Sequence, residues 1–177
     1  ENDGRVRRPW LGASLQTVSA EIAEALGLDR PSGVLVTVVG AGSPADRAGL
    51  KVGDLITHVG DTEVTDPDSF GYRFATRTVG STTTLTVLRP RGEVKLEVAL
   101  EAAPETTPRD AREISDYSPF AGTTVMNLSP AVAEELRLDG FDTGVVIAKI
   151  EPGSPAARVG LQVGDVIQTI NGREVDS

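Results

Sequence analysis

Hydrophobic and polar positions form two kinds of segment in this chain. Apolar runs rich in β-branched residues, GVLVTVV at 33–39 and TGVVIAKI at 143–150, have the length and composition of buried strands. Helical spacing is found at Ile22 and Leu26, four residues apart on one face of a helix that Ser19 would cap. The pattern predicts a mainly β fold with short α-helices.

One stretch of the pattern occurs twice. GSPADRAGLKVGDLI at 42–56 returns as GSPAARVGLQVGDVI at 153–167, 111 residues further along the chain. This spacing is too long for a solenoid repeat and fits a whole small domain. The preceding helix repeats as well, VSAEIAEALGL and then LSPAVAEELRL, and Gly12 corresponds to Gly122. We therefore predict two copies of one domain.

The repeated stretch predicts a short helix between two strands. Ser43 is placed to cap the helix, and Pro44 takes the first helical position, where its missing N–H costs nothing. Gly49 then ends the helix in a left-handed conformation. The following hairpin is predicted to turn at Gly60–Asp61, which the second copy writes as Asn171–Gly172.

The first copy continues past the repeat. Phe70 and Phe74 lie on one face of a further predicted helix, and TTTLTVLRP and EVKLEVAL follow as strands joined at Arg91–Gly92. These elements have no counterpart in the second copy, because Ser177 corresponds to Asp66. Each copy is predicted to be a small β-barrel or sandwich, with the second truncated at its C-terminal end.

The segments WLGA, GVLVTVV and GSPADRAGLKVGDLI, followed by the Gly-Asp hairpin and a helix, resemble PDZ domains of the bacterial, permuted kind. The preceding RPWLG and the double arrangement resemble the C-terminal half of HtrA/Deg serine proteases, over nearly all of the chain. The resemblance implies PDZ domains at 9–101 and 118–177, after an N-terminal arm at 1–8. The proline-, threonine- and charge-rich stretch 102–117 is predicted to be the linker.

Composition and charge narrow the possible partners. The chain has 17 Lys and Arg against 26 Asp and Glu, a net charge of −9 at pH 7, which argues against a broad nucleic-acid surface. Its only basic concentration, Arg5, Arg7 and Arg8, is interpreted as a solvated N-terminal arm. No stretch approaches the roughly 18 apolar residues of a membrane span. With no cysteine, disulfides and thiolate nucleophiles are excluded.

Catalytic, metal and cofactor motifs are missing from the sequence. His58 is the only histidine and lies in a predicted strand, and its counterpart in the second copy is Thr169. No G-x-S-x-G turn is present. The acidic stretch DTEVTDPD lacks EF-hand spacing, and GAGSPA lacks the remainder of a phosphate-binding loop. We expect no metal and no cofactor, and we expect that this chain is not an enzyme by itself.

The resemblance places a peptide site at RPWLGASLQTV. There the loop around Gly12 would present backbone N–H groups to a terminal carboxylate, because a residue without Cβ lets the backbone approach the anion. Ala13–Val18 would be an edge strand open to an extended peptide. Alternatively, the apolar residues belong to an ordinary core and Gly12 to an ordinary turn. The candidate residues are Arg8, Trp10, Leu11, Gly12, Ala13, Ser14, Leu15, Phe70 and Phe74.

The roles implied for these residues differ. Leu11, Ala13 and Leu15 would line a pocket for the last side chain of the peptide, Phe74 would close it, and Arg8 would attract the carboxylate. The corresponding loop of the second copy consists of Phe120, Ala121, Gly122 and Thr123, and no basic residue lies close before it.

The resemblance also implies the parent protein and its function. The chain would be the peptide-binding module of a periplasmic trypsin-like serine endopeptidase in protein quality control, with its own protease domain before residue 1. The first domain would capture C-termini or unfolded segments by β-augmentation, and the second would help to assemble a homo-oligomer. The absence of an initiator Met and of a signal-peptide core favours such a fragment.

Two alternatives remain open at this point. One is the PDZ pair of a membrane-embedded site-2-type metalloprotease, and the other is a free-standing PDZ scaffold. A G-x-S-G-G segment before Glu1 would favour the serine protease, whereas H-E-x-x-H in a hydrophobic helix would favour the metalloprotease.

Overall fold

A computed structural model of the chain describes residues 7–138 and 143–177. The chain divides into two compact units, Glu1–Ala103 and Pro104–Ser177. Most of the predicted arm at 1–8 lies outside the described residues, and its last two residues are exposed. Both units are mainly β with short helices, so the predicted fold class is confirmed.

The first unit contains eight strands and three helices within its described residues. They are β1 (Pro9–Trp10), β2 (Ala13–Thr17), α1 (Ala20–Ala25), β3 (Val34–Val39), α2 (Pro44–Arg47), β4 (Leu55–Val59), β5 (Thr62–Glu63), α3 (Pro67–Ala75), β6 (Thr82–Arg89), β7 (Gly92–Ala99) and β8 (Glu101–Ala102). The main sheet has the order β2-β3-β4-β6-β7, with β5 paired to β4 and β1 paired separately to β8. All of these pairings are antiparallel.

A large apolar core holds the first unit together, and a smaller cluster of Val18, Ala23 and Leu55 lies beneath α1. The strands β3, β4 and β6 each supply two buried residues of the large core, since alternate side chains point inward from each strand. Phe70 and Phe74 reach the same core from α3 and stack with ring centroids 5.4 Å apart. The predicted helical face is therefore confirmed, and it attaches α3 to the sheet.

Helices α1 and α2 begin at the residues that the sequence predicts. Ser19 accepts a hydrogen bond from the N–H of Ile22, and Ser43 accepts one from the N–H of Asp46. At α3, Asp66 accepts from the N–H of Ser69, whose hydroxyl accepts in return from the N–H of Asp66. This reciprocal capping box defines where α3 starts.

The second unit repeats the first half of this arrangement. It contains β9 (Arg112–Ile114), β10 (Thr123–Asn127), α4 (Pro130–Leu136), β11 (Val145–Ile150), α5 (Pro155–Arg158), β12 (Val166–Ile167), β13 (Thr169–Ile170) and β14 (Arg173–Glu174). Its sheet has the order β12-β11-β10-β9, and β13 pairs with β14. Asn171 and Gly172 both have positive φ, as the predicted hairpin turn requires.

Two local expectations differ from the structure. The turn between β6 and β7 consists of Pro90 and Arg91, because Arg89 pairs with Gly92, so the predicted turn at Arg91–Gly92 is one residue late. In the stretch 102–117 the structure forms a strand, β9, and the second compact unit already begins at Pro104. The proline and charge content of this stretch is typical of a linker, but β10 supplies a pairing partner that composition does not reveal.

No helix within the described ranges combines the length and apolar character that crossing a membrane requires. This observation agrees with the hydropathy of the sequence.

We expect the capping carboxylate of Asp66 to make the stability of the first unit depend on pH. The N–H of Ser69, followed by the hydroxyl of Thr65, lowers the pKa of Asp66 below its ordinary value. A lowered folded-state pKa stabilises the fold above the unfolded pKa of about 4, and this contribution disappears as the pH falls through the folded pKa.

Asp66→Asn keeps a capping oxygen but removes the charge. We expect its urea midpoint to fall less than that of the parent chain between pH 6 and pH 3. Trp10, the only tryptophan, reports unfolding of the first unit by fluorescence. Equal losses in the two proteins would contradict the assignment.

Candidate peptide-binding site

The strand β2 forms one edge of the main sheet. It pairs with β3 on one side, from Ala13 opposite Val39 to Thr17 opposite Val34, with an irregularity between Ser14 and Leu15. On its other side no strand pairs with it among the described residues. Helix α3 packs against β1 and β2. An unpaired edge beside a helix is the geometry that accepts an added peptide strand.

The loop between β1 and β2 turns its carbonyl groups toward α2. The carbonyl of Leu11 accepts a hydrogen bond from the N–H of Ala45 at 3.0 Å, and that of Gly12 accepts from the N–H of Gly40 at 2.8 Å. The N–H groups of Leu11 and Gly12 have no acceptor among the residues that the structure describes. Two adjacent unpaired N–H groups are suited to an anion such as a carboxylate.

Gly12 is required for this loop because of its contact with Ser43. Its φ of +73° lies in the left-handed region, and a Cβ built on it would lie 2.3 Å from Cβ of Ser43. The family resemblance implies that a glycine here lets the backbone approach an anion. The structure adds a different reason, which is that the loop packs directly on the capping residue of α2.

Gly40, Ser43 and Ala45 therefore support the loop, a role that the sequence analysis did not assign to them. Ser43 was interpreted only as a helix cap. The signal was present in the sequence, because Gly12 and the GSPA segment recur together as Gly122 and a second GSPA. Two segments that recur together at nearly the same separation, 30 residues in the first copy and 31 in the second, can be in contact.

The predicted pocket residues differ in accessibility. Leu11, Phe70 and Phe74 are only 4–6% exposed and belong to the core. Ala13 and Leu15 are half-buried and pack against that core from the edge strand. The accessible apolar surface beside the loop is therefore supplied by β2, while the two aromatic rings support it from beneath.

The remaining first-domain candidates surround the loop. Trp10 is half-buried, and its Cη2 would lie 3.0 Å from a Cβ at Gly12. Ser14 directs its carbonyl toward Thr37, whose hydroxyl donates to it at 3.2 Å. Arg8 is exposed immediately before β1, so a charge is available close in sequence to the loop.

The second domain has the same glycine–serine contact and the same loop hydrogen bonds around Gly122. A Cβ there would lie 2.3 Å from Cβ of Ser154 at a φ of +86°. The carbonyl of Gly122 accepts from the N–H of Glu151, and the carbonyl of Ala121 accepts from the N–H of Ala156. Phe120 is half-buried and Thr123 is fully buried. The loop geometry is thus duplicated together with the motif.

A buried ion pair supports the glycine-aspartate turn after α2. Nε and Nη2 of Arg89 donate to the two carboxylate oxygens of Asp54 at 2.8 and 2.7 Å, and Asp54 is 5% exposed. The Asp54 carboxylate, as hydrogen-bond acceptor and then as opposite charge, raises the pKa of Arg89 further, which keeps the guanidinium charged. Its partners are all within the fold, so we assign this pair a structural role.

Neither metal ligands nor a catalytic arrangement is found at this site. No group of three or more His, Asp or Glu side chains in the described ranges is placed to hold a metal ion. His58 lies in β4, where its Nδ1 is 3.0 Å from the hydroxyl of Thr57. An unpaired edge strand beside a loop with two unpaired N–H groups is typical of peptide-recognition domains.

Family comparison agrees with that class. Two profiles of the PDZ domain match the chain, one over residues 35–89 and the other over residues 120–177. The chain therefore belongs to the PDZ family and carries two PDZ domains in tandem.

Curated relatives match both domains together. A probable periplasmic serine endoprotease, DegP-like, from Rhizobium meliloti (strain 1021) is 37% identical over 99% of this chain and 35% of its own length. A protein of the same description from Marinomonas sp. (strain MWYL1) is 35% identical over 100% of this chain and 37% of its own length. The chain spans about a third of the length of these relatives. The resemblance to HtrA/Deg proteases is confirmed.

Solved structures of an HtrA-type protease resemble part of the chain. The HtrA-type protease AlgW with a decapeptide is 32% identical, with a TM-score of 0.52 over 60% of this chain and 32% of that one. The same protease with a tripeptide is 32% identical, with a TM-score of 0.52 over 59% of this chain and 34% of that one. This protein is thus similar to HtrA-type proteases in sequence and in fold.

We expect Gly12→Ala to lower the stability of the first domain, because the new Cβ meets Ser43 and the left-handed φ disfavours any side chain. The conformational cost alone is about 1–2 kcal/mol. Gly122→Ala is the matched control, since it has the same contact and sign of φ in the other domain. Urea unfolding followed by Trp10 fluorescence should show the loss in Gly12→Ala only. Equal effects of the two changes would contradict this account.

Proposed function

We propose that the chain is the peptide-binding tandem PDZ module of a periplasmic trypsin-like serine endopeptidase that acts in protein quality control. The observation that carries the proposal is the combination of an unpaired edge of β2 with the unpaired N–H groups of Leu11 and Gly12, among the described residues. Relatives named as periplasmic serine endoproteases support the parent protein and its compartment.

In the proposed complex, an extended segment lies antiparallel to β2 and continues the sheet. Its terminal carboxylate accepts hydrogen bonds from Leu11 and Gly12, and Arg8 adds favourable charge. Its last side chain contacts Ala13 and Leu15. Main-chain pairing adds little net free energy per bond, so the apolar contact has to supply most of the preference.

The proposed substrates are exposed hydrophobic C-termini or unfolded segments of other proteins. The protease domain of the same polypeptide would receive what the first PDZ domain captures. We further propose that the full-length protein is a homo-oligomer and that its second PDZ domain takes part in assembly. The solved complexes of AlgW with a decapeptide and a tripeptide support peptide recognition in related proteins.

The two alternative parents have less support. The relatives quoted above are described as serine endoproteases, which does not favour a site-2-type metalloprotease or a free-standing scaffold.

We expect the first domain to bind peptides with an apolar C-terminal residue at micromolar affinity, about −8 to −6 kcal/mol. Amidation should weaken binding, because it removes the charge that the N–H groups of Leu11 and Gly12 hold. Titration followed by Trp10 fluorescence measures both peptides. Gly12→Ala should also weaken binding, whereas Gly122→Ala should leave it unchanged. Equal binding of acid and amide peptides would remove the carboxylate assignment.

We also expect the chain to lack proteolytic activity of its own. Its only histidine is hydrogen-bonded to Thr57 within a sheet, where it is paired opposite Glu63 and Thr86. Incubation of the purified chain with unfolded casein tests this expectation. Cleavage by the parent chain that His58→Ala abolishes would overturn it.

A further inference from the structure

In the second domain, the edge that corresponds to the proposed binding edge of β2 is covered by the chain itself. Strand β9 pairs antiparallel with β10, with Ile114 opposite Thr123 and Arg112 opposite Val125. The strand β10 therefore lies between β11 and β9. An added peptide would occupy the same side of β2, because β11 corresponds to β3.

The loop N–H groups of the second domain are also already used. The N–H of Gly122 donates to the carbonyl of Ile114 at 2.8 Å, and the N–H of Ala121 donates to the carbonyl of Ser118 at 3.1 Å. Their counterparts, Gly12 and Leu11, have no acceptor among the described residues. The carbonyl of Ile114 thus lies where we place the carboxylate of a peptide in the first domain.

The covering segment is held along its length. Carbonyls of Pro108 and Arg109 accept hydrogen bonds from the side chain and the backbone of Asn127, at 2.9 and 2.7 Å. The guanidinium of Arg109 is hydrogen-bonded to Glu105 at 2.6 Å and ion-paired with Glu135 at 2.9 Å. These contacts attach residues 108–114 to both β10 and α4.

We propose that residues 108–114 are an intramolecular occupant of the peptide site of the second domain. In this arrangement the segment acts as the domain's own ligand, and an external extended peptide can bind there only after β9 has left the edge. The proposal rests on the proposed function for identifying this edge as a peptide site, but its test is read at Gly122 in the second domain and not at Gly12.

The tethered segment and an external peptide compete for the same edge of β10. The occupant is joined to the site by the eight residues between Ile114 and Thr123, so its effective concentration is in the millimolar range. Yet β9 has only three residues, and Arg112 and Glu113 are exposed. Such a short strand can be displaced. With an affinity of its own of roughly 100 μM, the tethered segment at a millimolar effective concentration weakens the binding of any external peptide about tenfold.

Amide hydrogen exchange in the unchanged chain is the first test. NMR resolves Gly122 and Gly12 separately, and we expect Gly122 to exchange at least about tenfold more slowly because its N–H is bonded to Ile114. Equal exchange at the two glycines would overturn the proposal, and this result does not depend on any variant.

A strand-breaking variant is the second test. Proline cannot donate to a ladder, so Arg112→Pro with Ile114→Pro should release β9. Asp116→Pro with Tyr117→Pro is the matched control, because these residues are exposed and lie outside the strand. Signals of Val146 and Ile147 report whether the second domain remains folded.

The probe is the synthetic peptide PRDAREI, residues 108–114 with a free C-terminal carboxylate. We expect Gly122 to exchange rapidly in the strand variant, and added peptide to slow it again with about tenfold higher affinity than in the parent chain. The control variant should behave as the parent.

Two outcomes with this probe would overturn the proposal. One is a folded strand variant in which the peptide does not restore protection at Gly122, and the other is equal binding of the peptide to the parent and the variant. If the variant does not fold, exchange in the unchanged chain decides alone. Failure of the proposed function would be seen at Gly12 instead, so the two failures are distinguishable.

Discussion

In both domains, the conformation of the candidate binding loop depends on one contact, which joins a glycine of the loop to the capping serine of the next short helix. Gly12 lies against Ser43, and Gly122 lies against Ser154, each so closely that a Cβ would have no room. The contact turns the loop carbonyls toward the N–H groups of the short helix and of the residues before it. Because the C=O and N–H of a trans peptide point in opposite directions, the N–H groups of Gly12 and Gly122 face away from the short helix, which makes them available to an acceptor.

The two domains share this loop contact but differ at the edge strand that follows the loop, which is unpaired in the first domain and paired in the second. In the first domain the edge of β2 and two loop N–H groups remain without partners among the described residues, which is the basis of the proposed peptide site. In the second domain β9 and the carbonyl of Ile114 take those positions. The difference arises from the residues before the loop, since the repeated motif is nearly identical in the two domains.

Much of the fold follows from local signals. Capping serines, a proline in the first helical turn and β-branched runs each specify an element within a few residues, so the helices and strands could be placed in advance. The predicted turn at Arg91–Gly92 is one residue later than the observed turn at Pro90–Arg91. Cross-strand register depends on how β6 and β7 pair and not on the turn residues alone.

Motif spacing and periodicity are enough to predict the duplicated domain and the mainly β class, and the family resemblance adds the position of the candidate loop. The packing of Gly12 on Ser43 and the pairing of Arg112–Ile114 with β10 are seen only in the folded structure. Both are contacts between segments distant along the chain. Composition describes how a segment behaves alone, whereas the partner that satisfies its backbone hydrogen bonds is supplied by the fold.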